Sequence, residues 1–260
     1  VALVDLPGAY SLTAYSQEEL VARRELAGDN VQAVINVADS SALERNLLLT
    51  VQMLEMGMPV ALACNMMDEA RAAGIHIDTE RLGHLLGIPV LPMVARTGEG
   101  LKEALETAVN LAREGKREPL RLSYGSDLDA LILTLEKRIS EGGMLARRYH
   151  PYWVALKLVE GDEELRSEAA ADNPSLAAEL EELRKKTTAH VRDTLNASME
   201  SVITDHRYGY IRSLLRDGII RQEPGKDRLA LSDKLDKALT NAFLGPLIML
   251  GVLYLVYQIT

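Results

Sequence analysis

A doubly wound α/β domain followed by a small all-helical domain is the fold this sequence predicts, on three observations. Up to about residue 118, apolar strand-like runs alternate with amphipathic helical stretches, the order that produces a mostly parallel sheet. Several of those runs end in short polar motifs, as the functional loops at one edge of such a sheet do. Beyond Glu118-Pro119, Leu stripes at helical spacing replace the strands until a final uncharged stretch.

Val1-Ala-Leu-Val4 reads as a buried strand that delivers Asp5 to its carboxyl end, with Gly8 three residues on. Ser16-Gln-Glu-Glu19 is a capping-box pattern, so a short helix through Leu20, Val21 and Leu26 is expected before Gly28. Val31 to Val37 is β-branched and apolar enough for a second strand, and Asp39-Ser-Ser41 is a helix-start signal. The helix that follows puts Leu43, Leu47, Thr50, Val51 and Leu54 on one face and stops at Gly57. Pro59 to Cys64 is a strand that runs straight into Asn65-Met-Met-Asp68. A helix with Leu82, Leu85 and Leu86 ends at Gly87. Ile88 to Met93 is one more short strand, and the loop Val94-Ala-Arg-Thr-Gly98 precedes a helix from Leu101 to Arg113.

In the second half, Ser126-Asp-Leu-Asp129 opens a helix carrying Leu128, Leu131, Ile132, Leu135 and Ile139, ended by Gly142-Gly143. Pro151 begins another, with Trp153, Leu156 and Val159 before Gly161. Asn173-Pro174 caps a third that continues to about Leu195, and a fourth spans Met199 to Arg216. The stripes read as the core of a small bundle. Acidic runs such as Asp162-Glu-Glu164 read as solvated helix starts. Residues 217–237, charged and punctuated by Gly and Pro, read as a linker. Ala242 to Ile259 is 18 residues without a charge, the length of a membrane span, so residues 238–260 are expected to contact lipid. Lys234 and Lys237 before it fit a cytoplasmic approach.

Composition excludes some partners. The 260 residues carry a formal charge of −9 and only 4% aromatics, which disfavours nucleic acid as a ligand. The single cysteine, Cys64, rules out an intramolecular disulfide and sits inside a strand as a small core residue. The five histidines are far apart and lack ligand spacing, so no metal is assigned to them.

The motifs carry the chemistry. Asp5-x-x-Gly8 at a strand end is how a nucleotide switch looks: in P-loop nucleotide hydrolases such an Asp holds Mg²⁺ and the Gly amide meets the γ-phosphate. Taken alone, the same residues also make an ordinary turn. Asn65-x-x-Asp68 matches the base-reading motif of GTPases. A carboxylate at Asp68 accepts both the N1–H and the exocyclic amino group of guanine, whereas adenine offers no donor at N1. Asn65 would tether neighbouring loops; the bland alternative is a helix N-cap at either residue. Thirty residues on, Ala95-Arg-Thr-Gly98 stands where the third guanine loop belongs, with a backbone N–H toward the guanine O6. Three motifs in order, each at a strand end, favour a guanine-nucleotide domain. Two departures matter: Met66 replaces the lysine that packs along the base, and Ala9 follows Gly8 where many GTPases carry a water-orienting Gln. Both point to slow hydrolysis and loose nucleotide retention, and no residue of the chain is assigned as catalytic.

With Asp5-Leu-Pro-Gly-Ala-Tyr-Ser-Leu12, Leu43-Glu-Arg-Asn-Leu47, Asn65-Met-Met-Asp68, Asp205-His-Arg-Tyr-Gly209 and Asp233 to Thr240, the sequence resembles the ferrous iron transport protein B family. The resemblance implies a GTPase domain over 1–118 lacking its P-loop and first switch, a helical domain over 119–216 that affects nucleotide release, a linker, and the start of a first transmembrane helix at 238–260. By position, Asp5 would act on Mg²⁺, Gly8 on the γ-phosphate and Asn65 and Asp68 on guanine, with Ala95 and Arg96 lining the base loop and Met66 against the base. It further implies GTP or GDP as ligand, Fe²⁺ as the substrate of the intact inner-membrane protein, and that protein's own membrane domain, small cytosolic accessory proteins and a homo-oligomer as partners. A soluble GTPase acting on ribosomes or RNA, and a non-enzymatic interaction module, are the other two readings.

Overall fold

The computed structural model describes residues 2–13, 16–28, 30–115, 117–195, 197–216 and 218–223, with Pro246, Ile248, Met249, Tyr254 and residues 256–258 beyond them. The expected membrane-spanning run therefore lies almost wholly outside the described residues. Among those that are described, no helix is long and apolar enough to cross a membrane.

Helix α1 (Gln17–Leu26) begins on the expected capping box: the Ser16 hydroxyl accepts the Glu19 amide and the Glu19 carboxylate reaches back to the Ser16 amide. Strand β1 (Val34–Asp39) follows, then a 3-10 turn over Ser40–Ala42 in which Asp39 accepts the Ser41 amide, then α2 (Leu43–Glu55). The predicted face of α2 is buried throughout, from Leu43 and Leu47 to Thr50, Val51 and Leu54. Strand β2 (Val60–Asn65) buries Val60 to Cys64 completely, the continuous apolar run of a central parallel strand. It leads into α3 (Met67–Ala72), β3 (Ile75–Ile77), α4 (Thr79–Leu86), β4 (Val90–Pro92) and α5 (Leu101–Glu114). The sheet has the order β1-β2-β4 with both pairings parallel, and the register sets Asp39 beside Asn65 and Cys64 beside Pro92. The strand ends that carry polar motifs thus share one edge.

The helical half comprises α6 (Ser126–Gly142), α7 (Pro151–Glu160), α8 (Glu163–Asp172), α9 (Pro174–Leu195) and α10 (Met199–Leu215). Leu128, Leu131, Ile132, Leu135 and Ile139 of α6 meet the apolar side of α7, where Trp153 is fully buried and stacks on Tyr149 at 4.6 Å between ring centroids. The bundle starts where the sequence places its caps: Asn173 accepts the Leu176 amide ahead of Pro174, and the His150 ring, which no sequence signal marked, accepts the Tyr152 amide at the head of α7.

Three expectations are corrected. Residues 2–9 do not form a strand: Leu3 is 78% and Val4 65% exposed, and no described strand lies beside them to complete a ladder. The chain becomes anchored only at Tyr10, under the Arg45 guanidinium, and at Leu12, which is buried and donates its amide to Gln52. Second, the stretch read as a linker opens with a strand, β5 (Ile220–Gln222), which pairs antiparallel with β3. The pairing is flanked by the Asp78 amide on the Ile219 carbonyl and the Glu223 amide on the Gly74 carbonyl. Each strand is three residues long, too short for an alternation signal. Third, Asp162 is not solvated. Its carboxylate caps α8 at the Leu165 amide and also binds the fully buried Arg23 of α1 at 2.5 Å, while Arg24 pairs with Glu164. Arg23 is a cation at a helix N-terminus, a position offset by the three acidic residues there.

Candidate functional site: the loops after β2 and β4

Strand β2 ends at Asn65, and the chain turns into α3 through Met66, which takes a left-handed conformation (φ 62°, ψ 32°) with a half-buried side chain. The turn puts Asp68 in the first helical turn of α3. Neither Asn65 nor Asp68 acts as the cap of that helix. Instead both side chains reach across to the loop that follows β4: Asn65 Oδ1 accepts the Ala95 amide at 2.9 Å, and Arg96 Nη2 donates to Asp68 Oδ2 at 3.1 Å. The Ala95 amide is thus directed to Asn65. The Arg96 guanidinium and neighbouring α3 amides hold the Asp68 carboxyl below the usual carboxylate range.

The backbone beneath these contacts is tightly specified. Met93 donates to the Cys64 carbonyl at 2.8 Å and Met67 to the Met93 carbonyl at 3.3 Å, so the two loops are stitched at their roots. The Thr97 hydroxyl donates to the Val94 carbonyl, and Val94 bridges Glu99. Met67 is buried and receives the Ser40 hydroxyl on its sulfur. Cys64 lies within this floor, its thiol pushed up to about 12 by burial, which suits a packing residue and not a nucleophile.

Gly100 closes the loop at φ +77°, where a Cβ would run into the Pro92 carbonyl oxygen, an atom of the strand itself. Gly100→Ala should therefore cost about 2–4 kcal/mol, combining the left-handed penalty with a clash the backbone cannot relieve. Thermal unfolding measures it; a loss below about 1 kcal/mol would contradict this account of the loop.

Of the residues the sequence singled out, the structure brings Asn65, Met66, Asp68, Ala95 and Arg96 into one place. Asp5 and Gly8 stand apart, both exposed on the extended segment over 2–9. Reading the sequence missed that Arg96 pairs with Asp68; an arginine in a loop thirty residues away carries no local mark of its partner.

A family profile described as ferrous iron transport protein B matches residues 1–108, and a second, described as the FeoB cytosolic helical domain, matches residues 124–220. Among curated proteins, the chain is 36% identical over 268 residues to an Fe(2+) transport protein A/Fe(2+) transporter FeoB fusion protein of Porphyromonas gingivalis, covering 100% of this chain and 31% of that protein. It is 34% identical to the Fe(2+) transporter FeoB of Escherichia coli, covering 99% of this chain and 32% of that one. The chain thus spans about a third of the length of the curated relatives it matches. Among solved structures, it resembles the cytosolic domain of the T. maritima FeoB iron transporter in apo form, with a TM-score of 0.68, 31% identity, and coverage of 84% of this chain and 79% of that one. It also resembles mGMPPNP-bound NFeoB from S. thermophilus, with a TM-score of 0.69, 30% identity, and coverage of 82% and 77%. With a parallel-sheet G domain, a helical domain beyond it, and both halves matched in order, the chain belongs to the ferrous iron transport protein B family.

Proposed function

We propose that this chain is the guanine-nucleotide-responsive cytosolic part of an inner-membrane ferrous iron transporter, in which a slow GTPase regulates Fe²⁺ uptake. The observation that carries the proposal is the convergence of Asn65 and Asp68 with the Ala95-Arg96 loop at one sheet edge. That the relatives are Fe(2+) transporters supports the transport part, and the nucleotide-bound S. thermophilus structure supports the guanine part. Asn65 and Asp68 read the base, with Met66 beside it and Ala95 and Arg96 lining its edge.

Asp5 is the residue for Mg²⁺ and Gly8 the one for the γ-phosphate. Asp5 offers an exposed carboxylate, the donor type Mg²⁺ takes. Mg²⁺ is usually held by one or two carboxylates plus phosphate and water oxygens. When bound, the ion neutralises phosphate charge. Ala9 orients no water, so hydrolysis in the intact protein is slow. Residues 238–260 enter the lipid, residues 1–237 are cytoplasmic, and the membrane domain of the intact protein, accessory proteins and further copies of the chain are its partners.

The 260 residues contain no G-x-x-x-x-G-K-[ST] phosphate loop. The chain alone is therefore expected to bind nucleotide weakly, and tight binding belongs to the intact protein. Titration with a fluorescent GTP analogue checks this: micromolar binding by residues 1–260 alone contradicts the expected weak binding, and no preference of the intact protein for GTP over ATP overturns the proposal.

The helical domain acts on nucleotide release through α1, whose Arg23 is buried against Asp162 at the head of α8. Arg23 Nε and Nη2 have no partner in that interface, so this contact is less than fully satisfied and suited to rearrangement. In the intact protein, Asp162→Asn should change the GDP release rate about fivefold or more. Stopped-flow release of a fluorescent GDP measures it, and an unchanged rate removes this route.

A further inference from the structure

We propose that Arg96 is the positioning residue for guanine selectivity: its guanidinium, bonded to Asp68 Oδ2, orients that carboxylate so that two acceptor sites face the paired donors of the base. The inference rests on the reading of Asp68 as the guanine-binding residue and goes beyond it by naming what holds Asp68 in place.

Consecutive residues of one loop hold the two reading side chains of the other: Ala95 takes Asn65 through its amide, and Arg96 takes Asp68 through its side chain. The loop that presents them is rigid, pinned by the Thr97 hydroxyl on the Val94 carbonyl, the Val94 to Glu99 bridge and the constrained turn at Gly100. An ionised carboxylate offers about four lone-pair sites. One N–H from Arg96 on Oδ2 leaves room for the N1–H and the 2-amino group of guanine while restricting rotation of the carboxylate. The base-packing lysine of other GTPases is Met66 here, so no cation arises from that position. Arg71, the other arginine nearby in sequence, faces Glu99 at 3.9 Å. Arg96 is the cation that the structure places on Asp68.

The pair does little for folding. Arg96 is 80% and Asp68 37% exposed in their side chains, and ion pairs so open to water contribute little to stability. A substitution at Arg96 therefore leaves the fold intact, and any effect reads out at the base.

The test uses the intact protein and compares GDP with inosine diphosphate, which keeps N1–H and lacks the 2-amino group. Arg96→Ala should weaken GDP about two- to fivefold and weaken inosine diphosphate less, so that the ratio of the two affinities falls. Arg96→Lys, which retains charge without the planar fork, should restore part of it. The effect should shrink in high salt. Equal losses for both nucleotides would mean a merely structural role, and tighter GDP binding would mean that Arg96 competes with the base; either overturns the assignment. Asp68→Asn in parallel separates the two levels. If base preference changes there and Arg96→Ala is silent, only the Arg96 assignment falls; if base preference does not change, the reading of Asp68 falls and this inference with it.

Discussion

Arg207→Met is expected to destabilise the folded chain by about 3–5 kcal/mol, because it leaves a carboxylate buried without its partner. Arg207 of α10 is completely buried. Its Nε and Nη2 bind both oxygens of Glu55 at 2.8–3.1 Å, and its Nη1 binds Glu160 at 2.5 Å. Lys157 holds the other oxygen of Glu160 at 2.8 Å, and the Tyr124 hydroxyl donates to Glu55. Two cations and two carboxylates balance. Glu55 and Glu160 end α2 and α7, where a negative charge meets the negative pole of the helix, so each needs the cation more than a surface carboxylate would. Met fills the volume and removes the charge. Lys should do little better, since a point charge cannot fork between two carboxylates. Adding Glu55→Gln to Arg207→Met leaves Lys157 and Glu160 as a neutral pair and should recover part of the loss. Urea unfolding followed by Trp153, the single tryptophan, measures it. A loss below about 1 kcal/mol would show that the network does not hold the domains together.

The network also sets a pH dependence. Burial would raise the Glu160 carboxyl, but the attraction of Arg207 and Lys157 outweighs it and holds the group at about 2, against an ordinary value of 4.5. A depressed folded-state value means stability that is present above the ordinary range and lost as pH falls from about 4.5 toward 2. In Arg207→Met the Glu160 carboxyl loses its largest depressing partner, so that loss should be smaller and should end at a higher pH.

The second large effect concerns the base. In the intact protein, Asp68→Asn should lower GDP affinity about 100-fold or more, because two hydrogen bonds to a charged acceptor, each of about 1.5–3 kcal/mol, are replaced by one neutral acceptor and a mismatched donor. Xanthine carries a carbonyl where guanine has its amino group, so the amide N–H of the new Asn finds an acceptor. Preference should move toward xanthine nucleotides. Competition between GDP and xanthosine diphosphate for the site reads this directly, and unchanged GTP selectivity would remove Asp68 from the role.

Most of the architecture was legible because it is local. The α2 stripe, the Ser16 to Glu19 capping box and the glycine stops at Gly87, Gly143 and Gly161 each lie within a few residues of what they determine. The base-reading pair was legible as a motif, since Asn65 and Asp68 are fixed by one strand end and one helical turn. What stayed hidden is long-range. Arg207 stood out only as part of Asp205-His-Arg-Tyr-Gly209, and its partners lie 152 and 47 positions away. Asp162 looked like a solvated cap because its cation comes from α1, 139 positions earlier. Val1 to Val4 failed in the opposite sense: composition signals a strand, but a strand requires a neighbour, and residues 2–9 have none among the described residues.

The pairing of β3 with β5 bears on the order in which the protein is made. His76 and Glu223, which meet at 3.1 Å beside that pairing, are 147 positions apart, with the whole helical domain between them. At about 5–20 residues per second, a ribosome needs roughly 7–30 s to travel that distance. Until β5 emerges β3 lacks its strand partner, although β1 and β2 precede it in the chain and β4 follows soon after. The parallel sheet β1-β2-β4 is complete without β5, whereas the small β3–β5 sheet is not. That small sheet forms only after the helical domain has been synthesised and has returned the chain, so a ribosome stalled within the bundle should expose a nascent chain that proteases cut near Gly74 to Asp78.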